Sequence, residues 1–529
     1  MTAPPMYLRP DVAVEPLIDQ WYAWFHLIPP ATAALNISGS HLKIMEGYVK
    51  APKVHMAAVK NPALRGGPFI DYPEDRSRDI DALLTRTRET RAPLLELADA
   101  LRGLQALLER EGTGASLEPL YAQIPPPLRG CVELTYDLGN HPSYRLIEPL
   151  MYGGPYHDSA TQGLMVSRVA DDFRPFVMST PRLGGPDETY VEIPFADPSV
   201  DRFFRLDRQP LTLGEVRDLL PGGLDDEAAA RFLTATPPRP RDTYAGDGVR
   251  CRYFGHACVL VESGGTSVFV DPVMSYDYPA GSKRYTVMDL PEVIDYIVIT
   301  HAHTDHIVLE SLLRLRHKTR HIVVPRNDGG SLADPSLRLA LEAIGFDNVI
   351  DLPELGEITF PGGRIVGLPF FGEHGDLGIR SKLAYAVQTG GRTLVFAADS
   401  RNMDTDLYRH VRRQIGPVDV LYLGMECDGA PMSWLYGPLL PRPLERKFDQ
   451  SRRLAGSDYE CARGLVDALE CGKVFVYAMG QEEWLNHIMA TRYTPESRPI
   501  VEASKLVEAC RAKGIESDRL YQTSELILT

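Results

Sequence analysis

The sequence predicts a two-part α+β protein whose second half is an αββα sandwich, two sheets flanked by helices. Three observations carry this. Residues 234–248 form a Pro-, Arg- and Gly-rich stretch that breaks both helical and strand periodicity and reads as a connector. After it, apolar strands alternate with helical segments, an order that two packed sheets with outer helices accommodate. Before it, a long amphipathic segment sits among alternating strand patterns. The expected division is a mixed α/β domain at 1–246 and the sandwich at 247–529.

In the first part, Ile80, Leu83, Leu84, Leu94, Leu97, Leu101, Leu104 and Leu108 recur at helical spacing, and Pro93 should kink or split that segment. Val132, Leu134, Tyr136 and Leu138 alternate as in a strand, as do Val191, Ile193 and Phe195. His26, His41, His55, His141 and His157 lack metal-ligand spacing and are expected in structural or surface roles. In the second part, 249–262 and 267–271 read as a hairpin around Ser-Gly-Gly-Thr. Residues 294–300 form an apolar strand running into His301, 309–315 a helix and 321–325 the next strand. Further strands are expected at 365–370, 393–397, 418–423 and 473–478.

Composition narrows the class. Lysine and arginine total 56 against 71 acidic residues, a net charge of −15, which argues against general nucleic-acid or anionic-membrane binding. The 7 cysteines are scattered with no C-x-x-C pair, as for the reduced thiols of a cytoplasmic protein. The segment from Met1 to Asp11 has no basic region followed by an apolar core, and no apolar run is long enough to span a bilayer. A cytoplasmic location is expected.

The strongest chemical signal is His301-Ala-His303-Thr-Asp305-His306 between a buried strand and a helix. A tight loop at a strand end lets side chains two apart converge on one ion while the next two face a neighbouring ion. This H-x-H-x-D-H pattern resembles the metallo-β-lactamase superfamily, and the segments 255–262 and 268–271 resemble its opening strands. The resemblance implies further ligands at three later strand ends, among them a bridging aspartate and a final histidine. Asp399, after the 393–397 strand, suits the bridge because a carboxylate offers two oxygens; its alternative is to cap the next helix. His487 is the one histidine after the last apolar strand and is the expected final ligand. At the position after 365–370, Glu373 and His374 compete. A carboxylate there favours iron, whereas a nitrogen-rich set favours zinc.

Glu373 in Gly-Glu-His, Asp399 in Ala-Ala-Asp-Ser, His487 and the segments 424–437 and 11–24 together resemble the CmlA-type diiron β-hydroxylases of chloramphenicol biosynthesis, along the whole chain. That resemblance implies an O2-dependent diiron monooxygenase. It would β-hydroxylate an amino acid tethered as a thioester to a carrier domain of a nonribosomal peptide synthetase. It further implies an oxo-bridged cluster, with one iron on His301, His303 and Glu373, the other on Asp305, His306 and His487, and Asp399 bridging. O2 and an external electron donor, a reductase not identified by the sequence, are the implied co-substrates, and the N-terminal domain is the implied dimer contact. Glu373 would gate O2 activation. Glu426, ending the 418–423 strand, would touch the cluster's surroundings or the substrate amine.

Trp434, Tyr436, Trp484 and Phe371 are expected pocket aromatics. His256 is expected as a structural hydrogen-bonder, and His317, His321 and His410 at the surface. An acidic carrier needs a basic face, for which Arg442, Arg446, Lys447, Arg452 and Arg453 form one stretch and Arg314, Arg316, Lys318 and Arg320 another. The alternative function is a two-zinc hydrolase of an ester, lactone, amide or phosphodiester using His374. A metal-stabilised scaffold without catalysis is the third reading.

Overall fold

The computed structural model describes residues 4–222, 224–279 and 282–529; Met1, Thr2 and Ala3 of the N-terminal segment discussed above lie outside these. In chain order the first part contributes strands β1 (Val12–Ile18) and β2 (Trp21–Tyr22) and helices α1 (Pro30–Asn36), α2 (Leu42–Lys50), α3 (Ser77–Thr90) and α4 (Ala92–Glu111). The hairpin β3 (Val132–Tyr136) and β4 (Pro142–Leu146), strands β5 (Gln162–Arg168) and β6 (Thr189–Glu192), and helix α5 (Pro198–Arg205) follow. An antiparallel sheet runs in the order β2-β1-β5-β6.

Pro93 splits the long amphipathic segment, as expected: it sits in the first turn of α4, where its missing N–H is not needed. The strand expected over Val191, Ile193 and Phe195 stops at Glu192, because Pro194 has no N–H to give a ladder. Leu138 lies beyond β3 and is fully exposed.

The second part stacks two seven-stranded sheets. The first is built from β7 (Val249–Gly255), β8 (Cys258–Ser263), β9 (Thr266–Val270), β10 (Ile294–Val298), β11 (Thr319–Pro325) and β12 (Val349–Leu352), with helix α6 (Leu309–Leu315) between β10 and β11. The second holds β13 (Glu357–Phe360), β14 (Gly363–Leu368), β15 (Ala384–Thr389), β16 (Arg392–Phe396), β17 (Val420–Gly424), β18 (Lys473–Tyr477) and β19 (Glu516–Arg519) in sequential order. The last strand, β20 (Ser524–Leu528), returns to pair antiparallel with β7 and closes the first sheet. Helices α7 (Thr405–Ile415), α8 (Tyr459–Leu469) and α9 (Arg498–Ala512) cover the second sheet.

Period-two alternation builds the layers. Val259, Val261, Val268 and Val270 point between the sheets with Tyr385, Phe396 and Tyr477, while Leu260 and Phe269 point to the other face. That outer face does not have a core of its own. One apolar cluster runs from Phe269 and Ile297 through Leu312 to Phe203, Leu101 and Trp21, so the N-terminal part supplies the first sheet's outer layer. No helix is long and apolar enough to cross a membrane among the described residues.

One expectation fails here. The stretch 249–262 is two antiparallel strands, β7 and β8, paired through Gly255 and Cys258. Gly255 at φ +107° and His256 at φ +51° make the turn inside what reads as one arm of a hairpin. A second also fails. Arg314 and Arg316 are not a docking face: Arg314 is buried and grips Asp207 at 2.7 and 3.1 Å and the Val12 carbonyl at 2.9 Å, and Arg316 reaches Asp201 and the Phe195 carbonyl. Both fasten the end of α6 to the N-terminal part.

Removing one side of a buried ion pair leaves the other charge without compensation. Arg314→Met is therefore expected to destabilise the protein by about 3–5 kcal/mol in urea unfolding. Arg320→Gln, on an exposed side chain at the next strand, should change stability by about 0.5 kcal/mol or less.

Candidate metal centre

The strand ends at one edge of the sandwich converge. From the loop after β10, His301 Nε2 lies 3.3 Å from Glu373 Oε2, and His303 Nδ1 lies 2.5 Å from Glu373 Oε1. His306 Nε2 is 3.2 Å from Asp399 Oδ2. His256, from the β7–β8 turn, places Nε2 3.1 Å from Asp305 Oδ2. Ligand atoms within 4.8 Å of one another define three triads, His301–His303–Glu373, His301–His306–Asp399 and His256–Asp305–His306. The triads overlap at His301 and His306, so seven donors form one connected group.

Local backbone conformation aims these groups. His256, Asp271, Glu373 and Ala398 all have positive φ, at +51°, +39°, +68° and +48°, a region non-glycine residues rarely occupy. Each ends a strand or lies in the loop after one, and the left-handed turn aims His256, Asp271 and Glu373 themselves, and Asp399 after Ala398, towards the shared edge. Gly424 clears space at the end of β17, where a Cβ would lie 2.5 Å from Asp399 Oδ1. Asp399 does not cap α7, whose cap is Asp404. Asp271 holds the set from behind: it accepts from the Thr300 N–H at 2.7 Å and hydroxyl at 2.6 Å and lies 2.8 Å from His306 Nδ1. That leaves His306 Nε2 to face the cluster.

The donors fit metal ions. His256 Nε2, His301 Nε2, His303 Nε2, Glu373 Oε2 and Asp399 Oδ1 are buried without a hydrogen-bond partner, a costly state that cations relieve. Burial pushes the Glu373 carboxyl up to about 7. Burial disfavours charge on His306 too, but Asp399, Asp305 and Asp271 outweigh it and hold its pKa well above the usual range. Burial and the surrounding imidazoles push His301 well down.

At the contested position, Glu373 and not His374 faces His301 and His303. His374 stacks on the His303 ring at 4.5 Å and turns Nδ1 to the Gly372 carbonyl at 3.3 Å. His487 is a correction: it stands outside the three triads. Its Nε2 lies 2.9 Å from Arg174 Nη1 and its Nδ1 2.9 Å from the Trp484 carbonyl, so both nitrogens are engaged. His256 stands where His487 was expected. The hint in the sequence is a histidine interrupting the apolar run 249–261.

A cleft of about 500 Å³ opens on the cluster and is lined by Glu373, Asp399, Glu426, Trp434 and Tyr493 among others. Glu426 accepts from the Tyr493 hydroxyl at 3.1 Å and from the Gly429 N–H. Of the four expected pocket aromatics, Trp434 alone lines it. Tyr436 and Trp484 are core, and Phe371 lies outside the lining. His410 is at the surface as expected, while His317 and His321 are half-buried.

Fold and site define a dinuclear metal protein of the β-lactamase superfamily, whose domain model matches residues 266–432. Residues 7–237 match the diiron non-haem β-hydroxylase N-terminal domain. The chain is 42% identical over 525 residues, 97% of its length and 98% of the relative's, to the 4-amino-L-phenylalanyl-[CmlP-peptidyl-carrier-protein] 3-hydroxylase of Streptomyces venezuelae. The crystal structure of CmlA, a diiron β-hydroxylase from that organism, superposes with a TM-score of 0.93 at 41% identity and covers 100% of both chains. The chain belongs to the diiron non-haem β-hydroxylase family and is a monooxygenase that works with two irons. A metal-dependent hydrolase of Listeria welshimeri is 24% identical over only 33% of the chain and 72% of its own length, so the hydrolase alternative is not supported.

Asp271→Asn removes the anion that orients His306. It is expected to weaken metal affinity by about 10–100-fold in chelator competition, with circular dichroism unchanged.

Proposed function

We propose that this protein uses O2 to hydroxylate the β-carbon of an amino acid held as a thioester on a peptidyl carrier domain. One iron would be held by His301, His303 and Glu373, the other by His256, Asp305 and His306, with Asp399 between them. The observation that carries this is the carboxylate of Glu373 facing His301 and His303, which makes the donor set oxygen-rich as iron in higher oxidation states prefers. The full-length likeness to a carrier-protein 3-hydroxylase supports the carrier as partner. A separate reductase, a homodimer contact through the N-terminal part and a cytoplasmic location belong to the same proposal.

Two irons held there would supply the oxidising power to break a C–H bond, with the electrons that reduce O2 drawn from the external donor. The protein's own groups do the positioning. His256, His301 and His306 are sealed on the sheet side, while His303, Asp305, Glu373 and Asp399 line the cleft and present the cluster to substrate. Trp434 holds one wall, its indole N–H donating to the Gly66 carbonyl at 3.0 Å. Glu426 has no cationic partner among the described residues, and burial pushes its carboxyl up to about 7. A substrate ammonium placed beside it would restore its charge and fix the amino acid's orientation. Arg452 and Arg453, from the first basic stretch, turn inwards to the Gly375, Asp428 and Gly429 carbonyls; Arg453 lines the cleft, and both line a neighbouring cavity that Glu373 also borders. Arg442 remains exposed beside Glu109.

Protein from iron-replete cells is expected to hold about two irons per chain. His256→Ala should lower this to one, and His487→Ala should leave it at two; the opposite pattern would return the ligand position to His487. With O2 and a chemical reductant, mass spectrometry should detect a gain of one oxygen atom on a carrier-bound amino acid. Free amino acids should be turned over poorly. Equal turnover of the free amino acid would remove the carrier from the proposal.

A further inference from the structure

We propose a second binding site, for a small oxyanion such as inorganic phosphate, at the opposite edge of the first sheet from the metal centre. A cavity of about 150 Å³ lies there, lined by Arg205, Arg208, Arg241 and Lys318 together with the carboxylates Asp207 and Glu292. Lys318 immediately precedes β11 and Glu292 lies just before β10, two parallel strands whose N-terminal ends share an edge. The metal loop follows the C-terminal end of β10, so the whole strand, about 15 Å long, lies between the two sites.

The cationic groups here lack anions. Lys318 has no carboxylate within ion-pair range and makes no hydrogen bond among the described residues, although it is half-buried. Arg208 is satisfied only by the Met288 and Arg239 carbonyls. Arg205 makes one long contact, 3.5 Å, to the His317 carbonyl. Arg241 pairs with the exposed Glu292 at 3.0 Å, but its Nε is buried without a partner, as is His317 Nδ1. Asp207 is committed to Arg314. Four cations thus surround one cavity against one available carboxylate, in a chain of net charge −15.

Burial, reinforced by Arg241 and Arg208 and opposed by Asp207 and Glu292, holds the Lys318 pKa down to about 7. Burial and the neighbouring Lys318 and Arg205 keep the His317 ring neutral, with its pKa pushed down to about 3, so it adds no charge, and its N–H is given to the Arg314 carbonyl. Convergent ammonium and guanidinium donors in a small space recognise a compact anion with several oxygens. The volume leaves no room for a nucleotide. The end of α5, the connector and the edge of β10 and β11 all contribute residues, so a bound oxyanion would tie the N-terminal part to the metal-bearing part.

The test is calorimetric titration of the full-length, iron-loaded protein with sodium phosphate at neutral pH, with ionic strength held constant by chloride. One saturable site per chain is expected, with a rise in thermal midpoint. Proton uptake should accompany binding, seen by repeating the titration in buffers of different ionisation enthalpy, because an anion beside partly neutral Lys318 raises its pKa. Lys318→Met and Arg208→Gln should each weaken binding by about ten-fold or more. Arg320→Gln should not. Circular dichroism checks that each variant is folded, and the wild-type proton uptake stands independently of the variants. No saturable binding beyond that of chloride, or phosphate binding that persists in both variants, overturns the assignment.

Discussion

Seven imidazole and carboxylate groups are gathered at one edge of a dry sandwich, and several of their polar atoms have no hydrogen-bond partner. Such atoms are expensive to bury, and carboxylates this close repel one another. The surrounding architecture answers that constraint. Two sheets packed through Val259, Val261, Tyr385 and Phe396 make a rigid base. The donors turn inward from four different loops, three of them bearing left-handed residues, and Gly424 keeps the backbone clear of Asp399. Metal ions convert this costly arrangement into a stable one, so metal binding and the order of these loops should be thermodynamically linked.

The N-terminal part is structurally inseparable from this arrangement. It covers the outer face of the first sheet, and it reaches the centre's periphery through a buried polar network. Arg174 contacts Glu15 at 2.8 Å, Glu310 at 2.9 Å and His487 Nε2 at 2.9 Å, and Tyr22 donates to Glu310 at 2.9 Å. Such a network adds little net stability over an apolar core, but it is highly specific about register. It sets how the cleft wall built from the first part meets the metal-bearing loops.

Much of the site was legible locally. His301, His303, Asp305 and His306 sit within six residues, so one loop places them together whatever the rest of the chain does. Asp399 was legible because an apolar strand ends in a carboxylate. Glu373 against His374 was undecidable from spacing, since adjacent residues at a turn point in opposite directions and only the backbone angle chooses between them. His487 and His256 were exchanged for a related reason. One is 231 positions further along the chain than the other, and sequence distance carries no information about which strand end lies beside Asp305. The basic stretch at 314–320 misled because an arginine paired across 107 residues with Asp207 looks, in sequence, like an exposed one.

By itself, then, the sequence determined the class of fold, the short-range metal motif and the likeness to a β-hydroxylase family. The first two rest on periodicity, turn chemistry and close spacing, which act over a few residues, and the likeness rests on motifs matched along the whole chain. Tertiary structure decided which histidine completes the cluster, which of two neighbouring side chains faces it, and which charges are buried in pairs or left around a cavity. Those outcomes depend on how strands far apart in the chain are ordered in two sheets, and on the direction each chain takes as it leaves them.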